Sequence, residues 1–136
     1  MISISSEQIV WLEEELNSTN KPVVIFVHHS LADQNLEGNP WFEGRPSRCL
    51  IHNRDEVRKI IGDSKKVVAV INGHLHWNNI SIHDGIPYVT IQSAIENFSN
   101  EGIPANTWEE FDLTPNTFKI SVYGNDKIEY DYKFVG

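Results

Sequence analysis

Two short, unbroken apolar runs organise the first half of the chain. Val23-Val-Ile-Phe-Val27 and Val67-Val-Ala-Val-Ile71 are rich in β-branched residues and do not alternate with polar positions. That is the pattern of strands buried on both faces. Helical periodicity precedes each run. Ile9, Leu12 and Leu16 recur at helical spacing, with Trp11 beside them and Glu13, Glu14 and Glu15 on an outer face. Ser5 with Gln8 reads as a capping box opening this helix, which should end near Asn17. Asn53 with Glu56 reads as a second capping box, followed by Val57, Ile60 and Ile61 and a stop at Gly62. Strand, helix, strand predicts a parallel pair. Between them, residues 28–52 show no period and contain Gly38, Pro40, Gly44 and Pro46. Loops longer than about 15 residues are uncommon inside a compact domain and are often functional.

Beyond these runs the period changes to two. Ile80 and Ile82 alternate with polar residues, Asp84-Gly85 makes a turn, and 86–91 forms the return strand. Segments 108–113, 118–123 and 128–134 also alternate, separated by Pro115-Asn116 and Gly124-Asn125-Asp126. The expected architecture is α/β, with a parallel inner pair and an antiparallel C-terminal part. No repeat or linker divides it, so residues 1–136 are expected to form a single domain.

Composition narrows the function classes. With 19 acidic residues against 11 basic ones, the net charge is −8, which argues against binding to a nucleic-acid backbone. An anionic substrate remains open, because a bound metal ion can dominate the local field. Cys49 is the only cysteine, so no internal disulfide is available and a reducing compartment, the cytoplasm, is expected. No signal-like stretch follows Met1, and no apolar run approaches the roughly 20 residues needed to span a bilayer. The sequons at Asn17, Asn79 and Asn97 are expected to be unused.

The candidate chemistry lies where the apolar runs end. Gly73-His74-Leu75-His76 follows the second run and His28-His29 follows the first. Open α/β sheets place ligands at the carboxyl ends of their parallel strands. If the two strands are neighbours, the fold brings both histidine clusters to one edge. Histidines at i and i+2 can project the same way in extended backbone, and neutral imidazoles suit divalent transition metals. A single histidine at a strand end is ordinarily a surface polar group; the convergence of two clusters is what points to metal. In the long loop, Trp41, Arg45, Arg48 and His52 could bind a phosphate or nucleobase, or form a solvated loop with the tryptophan tucked onto the core. Trp77 could wall a pocket or fill the core, Trp11 and Trp108 read as packing residues, and His83 beside the Asp84-Gly85 turn reads as structural.

The pattern of apolar strand then His28-His29-Ser30, followed by apolar strand then Asn72-Gly73-His74-Leu75-His76, resembles the last two motifs of calcineurin-like metallophosphoesterases. Leu31 stands where the family's first motif carries proline. The resemblance implies a partial calcineurin-like phosphoesterase fold, the C-terminal portion of the domain. It implies that His28 and His74 ligate one metal and His76 the other, with His29 not required. Two divalent ions, of Mn, Fe, Zn or Ni, would serve the complete site and hydrolyse a small phosphomonoester or phosphodiester substrate. The family's Asp-x-His, Gly-Asp and Gly-Asn-His motifs come earlier in its chains. Gly62-Asp63 and Gly38-Asn39-Pro40 resemble two of them in part but stand in the wrong order. The bridging carboxylate and two other ligands are therefore expected from a missing N-terminal half. The chain would be a truncated product, a split reading frame or a fragment, weakly active or inactive alone. The alternative is a non-catalytic half-domain that self-associates or binds through an exposed sheet edge.

Overall fold

The computed structural model describes residues 1–95, 103–124 and 127–133. The Asn97 sequon, the Asn125-Asp126 part of the last turn and Phe134 lie outside them. Helix α1, Ser6–Ser18, opens with the expected capping box: the Ser5 hydroxyl accepts from the Gln8 amide, and the Gln8 side chain accepts from Ser5 N–H. Strand β1, Val23–Val27, leads into the long loop, which contains a 3-10 turn at Pro46–Arg48. Helix α2, Arg54–Ser64, leads into β2, Val67–Asn72.

Two details of α2 differ from the expectation. Asn53 is its N-cap residue but makes no side-chain cap. Its amide is committed to the N-terminal stretch instead, pairing with both Ile4 N–H and Ile4 C=O at 3.0 Å. Gly62 does not end the helix, which runs two residues further to a left-handed Lys65 with φ of 57°. Gly62 serves a close approach: a β-carbon there would lie 3.3 Å from Asp84 Oδ2.

β1 and β2 pair in parallel, with Val27 opposite Asn72. The hairpin β3, Asn79–His83, and β4, Ile86–Thr90, forms as expected. Asp84 and Gly85 both take positive φ, 51° and 76°, as a tight two-residue turn requires. β4 also runs parallel to β2, so the sheet has the order β1-β2-β4-β3. A second sheet, β5 (Trp108–Leu113), β6 (Thr117–Tyr123) and β7 (Ile128–Lys133), is antiparallel throughout.

The layers follow from strand alternation. On one face of the first sheet, Leu16, Val57 and Ile61 of the helices pack on Val67, Val70 and Tyr88. On the other, Ala69, Ile71 and Val89 meet Phe118, Ile120 and Val122 of β6. β2 is buried on both faces as expected. β1 is not, because it is an edge strand and Phe26 is 67% exposed. Trp11 and Trp108 also differ from the packing role read for them: both are more than half exposed, and Trp108 stacks on Tyr123 at 4.2 Å.

Candidate metal centre

The parallel pairing of β1 and β2 carries His28 and His74 to the same sheet edge. His28 follows Val27, and His74 follows Gly73 one residue beyond the end of β2. Their rings meet: His74 Nδ1 lies 3.1 Å from His28 Nε2. The other nitrogen of His74 lies 3.1 Å from the Arg48 carbonyl. A carbonyl can only accept, so Nε2 carries the proton and Nδ1 keeps its lone pair toward His28. A backbone carbonyl holding the far nitrogen in this way is the usual support of a ligating imidazole.

Three histidines, His28, His29 and His74, bring one ring nitrogen each within 4.8 Å of one another. His29, which the resemblance leaves aside, stands inside this group, its ring centroid 4.2 Å from that of His74. His76 lines the same cleft, but its ring packs against Trp41 at 5.4 Å. The cause is the backbone. His74 and His76 are not extended; both are left-handed, with φ of 66° and 59°, a conformation costly for residues with a side chain. Leu75 between them is fully buried against Leu36, Cys49 and Leu50. Its N–H donates to Gly73 C=O at 2.8 Å.

Burial first, and then the neighbouring imidazoles, hold His29 below the ordinary histidine range. His74 is lowered in the same way: burial outweighs its bond to Arg48, and His28 and His76 add to it. Neutral imidazoles are the ligand form. The donor set also fits a divalent transition ion in spacing. Two nitrogens bound at about 2.0–2.1 Å in a tetrahedral shell lie roughly 3.4 Å apart, close to the observed 3.1 Å.

A buried polar network that the sequence reading did not foresee holds this edge in shape. Gln34 donates to the Ser30 hydroxyl at 2.9 Å and to Thr90, and accepts from the Trp77 indole at 3.2 Å. Thr90 donates to Asn72 Oδ1 at 3.1 Å, and Asn72 in turn donates to Gly73 C=O at 2.9 Å. This buried polar chain links the loop after β1 to the turn after β2. Trp77 is therefore a packing residue of that network. Asn39 is fully buried and bonds to Leu75 C=O. Composition alone gives no signal for these, since their partners are remote in sequence.

No family model matches the chain. It is 26% identical over 95 residues to a probable cyclic nucleotide phosphodiesterase of Psychrobacter arcticus, covering 70% of this chain and 32% of that one. It is 28% identical over 86 residues to a probable glycerophosphodiester phosphodiesterase of Arcobacter nitrofigilis, covering 58% of this chain and 29% of that one. A dimetal phosphatase from Danio rerio superposes with a TM-score of 0.74 at 17% identity, over 97% of this chain and 39% of that one. These relatives and the shared fold support the resemblance to calcineurin-like metallophosphoesterases. The zebrafish structure shows the fold, and the two sequence relatives connect it to phosphodiesterases. The chain spans about a third of the length of the curated relatives it matches. Its three-histidine group contains no carboxylate.

Proposed function

We propose that the chain supplies the histidine side of a two-metal centre that hydrolyses a small phosphoester. His28 and His74 hold one divalent ion, of Mn, Fe, Zn or Ni, and His76 contributes to the second. The observation that supports this reading most is the contact between His28 Nε2 and His74 Nδ1 at 3.1 Å, at the carboxyl ends of adjacent parallel strands. Bound ions would supply Lewis acidity toward the phosphoryl oxygens and activate water at neutral pH. The residues present fit such ions as nitrogen ligands. A bridging carboxylate and the remaining oxygen ligands come from outside these 136 residues, as the N-terminal motifs of the family would provide. Arg48 contributes its carbonyl, which fixes the His74 tautomer. A free, fully buried Cys49 suits a reducing compartment such as the cytoplasm. No helix among the described residues is long and apolar enough to cross a membrane.

A second reading, a self-associating or binding half-domain, is favoured by a different observation. β1 and β5 are the edge strands of their sheets, and Phe26 and Phe111 meet edge-to-face at 5.8 Å. Both edges therefore lie on one flank, where Phe26, Phe111 and Leu113 are 67, 42 and 46% exposed. Such a flank is a ready template for another polypeptide. The two readings agree if the partner brings the missing ligands.

Hydrolysis of an aryl phosphodiester with manganese or zinc added tests the catalytic reading. The chain alone is expected to show little turnover, because unbridged ions lose the two-metal clamp. Supplying the three N-terminal motifs on a second polypeptide should raise the rate, and His74→Ala should abolish the gain. No gain from the complete motif set would contradict the reading.

A further inference from the structure

The opposite end of the parallel sheet carries a different chemistry. Lys21 precedes β1, Lys65 and Lys66 precede β2, and β7 ends on Lys133. All four wall one cleft of about 550 Å³, within the roughly 300–1,000 Å³ of small-ligand sites. In a chain with 19 acidic and 11 basic residues, lysines should mostly stand beside carboxylates. Several cations elsewhere do: Arg54 and Arg58 grip Asp33, Lys59 meets Asp63 and Lys119 meets Glu129. The cleft is lined by four lysines and one carboxylate, Asp84, with Asp63 in electrostatic reach of Lys65, so its lining is net positive. Among the described residues, no ion pair joins any of these four lysines to a carboxylate.

The walls are fixed before any ligand arrives. The Tyr132 hydroxyl donates to Gly85 C=O, tying the end of β7 to the β3–β4 turn. The Lys66 ammonium donates to Leu16 C=O at the end of α1. Lys65 occupies a left-handed helix end with φ of 57°, a position that favours glycine or asparagine. Pro115 and Ile86 add apolar surface between the charges.

We propose that this cleft binds a phosphorylated small molecule carrying at least two phosphate groups, at a site separate from the histidine centre. Lysine is a point-charge phosphate binder that needs no fixed approach geometry. The net positive lining, spread over lysines from three elements, suits more than one phosphate group, and the volume admits a nucleotide-sized body.

The test titrates inorganic pyrophosphate, and separately adenosine triphosphate, into the chain in excess chelator, so that no ion bridges phosphate to the histidines. Saturable binding is expected. It should weaken by roughly tenfold or more in the double variant Lys65→Asn, Lys133→Gln, as lost charge-assisted contacts require. It should be unchanged in His74→Ala. Asparagine suits the left-handed backbone at 65 and a surface glutamine is neutral to folding, so circular dichroism of the variant should match the parent. Absence of saturable binding, equal binding by the double variant, loss of binding in His74→Ala, or equal competition by a polyglutamate peptide would each overturn the proposal.

Discussion

The side-chain amide of Asn39 donates at 3.0 Å to the carbonyl of Leu75, the residue between His74 and His76. The same side chain accepts from the Trp41 and Phe42 amides at 3.1 and 3.0 Å. One buried asparagine thus pins the histidine turn to the long loop, and the loop bears Trp41 against His76 and Phe42 against His74. A turn with two left-handed histidines needs such restraint, because its backbone is not locally preferred.

Asn39→Ala removes the partner of the buried Leu75 carbonyl and of the part-buried Trp41 and Phe42 amides. It should lower unfolding stability by about 1–3 kcal/mol, the cost of orphaned buried polar groups, read from urea denaturation. Metal affinity should fall as well, since the histidines lose their support. A variant as stable as the parent would show that the loop holds the turn by apolar packing alone.

Asp33 gives the clearest pH signature. Burial opposes its charge, but bonds to Arg54 and Arg58 at 2.6 and 2.7 Å, and their charges, hold its carboxyl below the ordinary range. A depressed folded-state value stabilises the native state above the unfolded-state pKa of about 3.9, and that stability is lost as pH falls through the lower folded value. Asp33→Asn should therefore lower the thermal midpoint at pH 7, and its deficit should shrink below about pH 4. The pair is half exposed, so the effect is small and should weaken in salt. A deficit that persists unchanged at acid pH would mean that packing, not charge, accounts for it.

Much of this was legible in the chain. The apolar runs 23–27 and 67–71 gave the parallel pair, and their adjacency placed His28 beside His74 because strand ends carry their flanking residues with them. What was not legible depends on tertiary partners. The Asn53 amide turned from its own helix to Ile4, Gly62 answered to Asp84 rather than to the helix end, and β4 took a parallel neighbour besides its hairpin partner. An i, i+2 spacing does not reveal left-handed backbone, so the sequence put His74 and His76 on a common extended face; it brought His28-His29 to the same edge, but the resemblance gave His29 no ligand role. Asn39 looked like a mismatched motif fragment, and only its burial shows its role.

The flank of Phe26 and Phe111 should make the isolated chain associate with rising concentration. Sedimentation velocity should show a concentration-dependent shift that Phe26→Lys reduces, since a charge on an edge strand opposes pairing. A monomer at all concentrations would remove the self-association reading and leave the flank to a different partner.

The central claim is that His28 and His74 bind one metal ion together. Isothermal titration of manganese or zinc into the chelator-stripped chain tests it directly. The expected result is a single class of weak site that loses roughly tenfold or more in affinity in His28→Ala and equally in His74→Ala. His29→Ala and His76→Ala then identify the third nitrogen. Undiminished binding by both His28→Ala and His74→Ala would contradict the account.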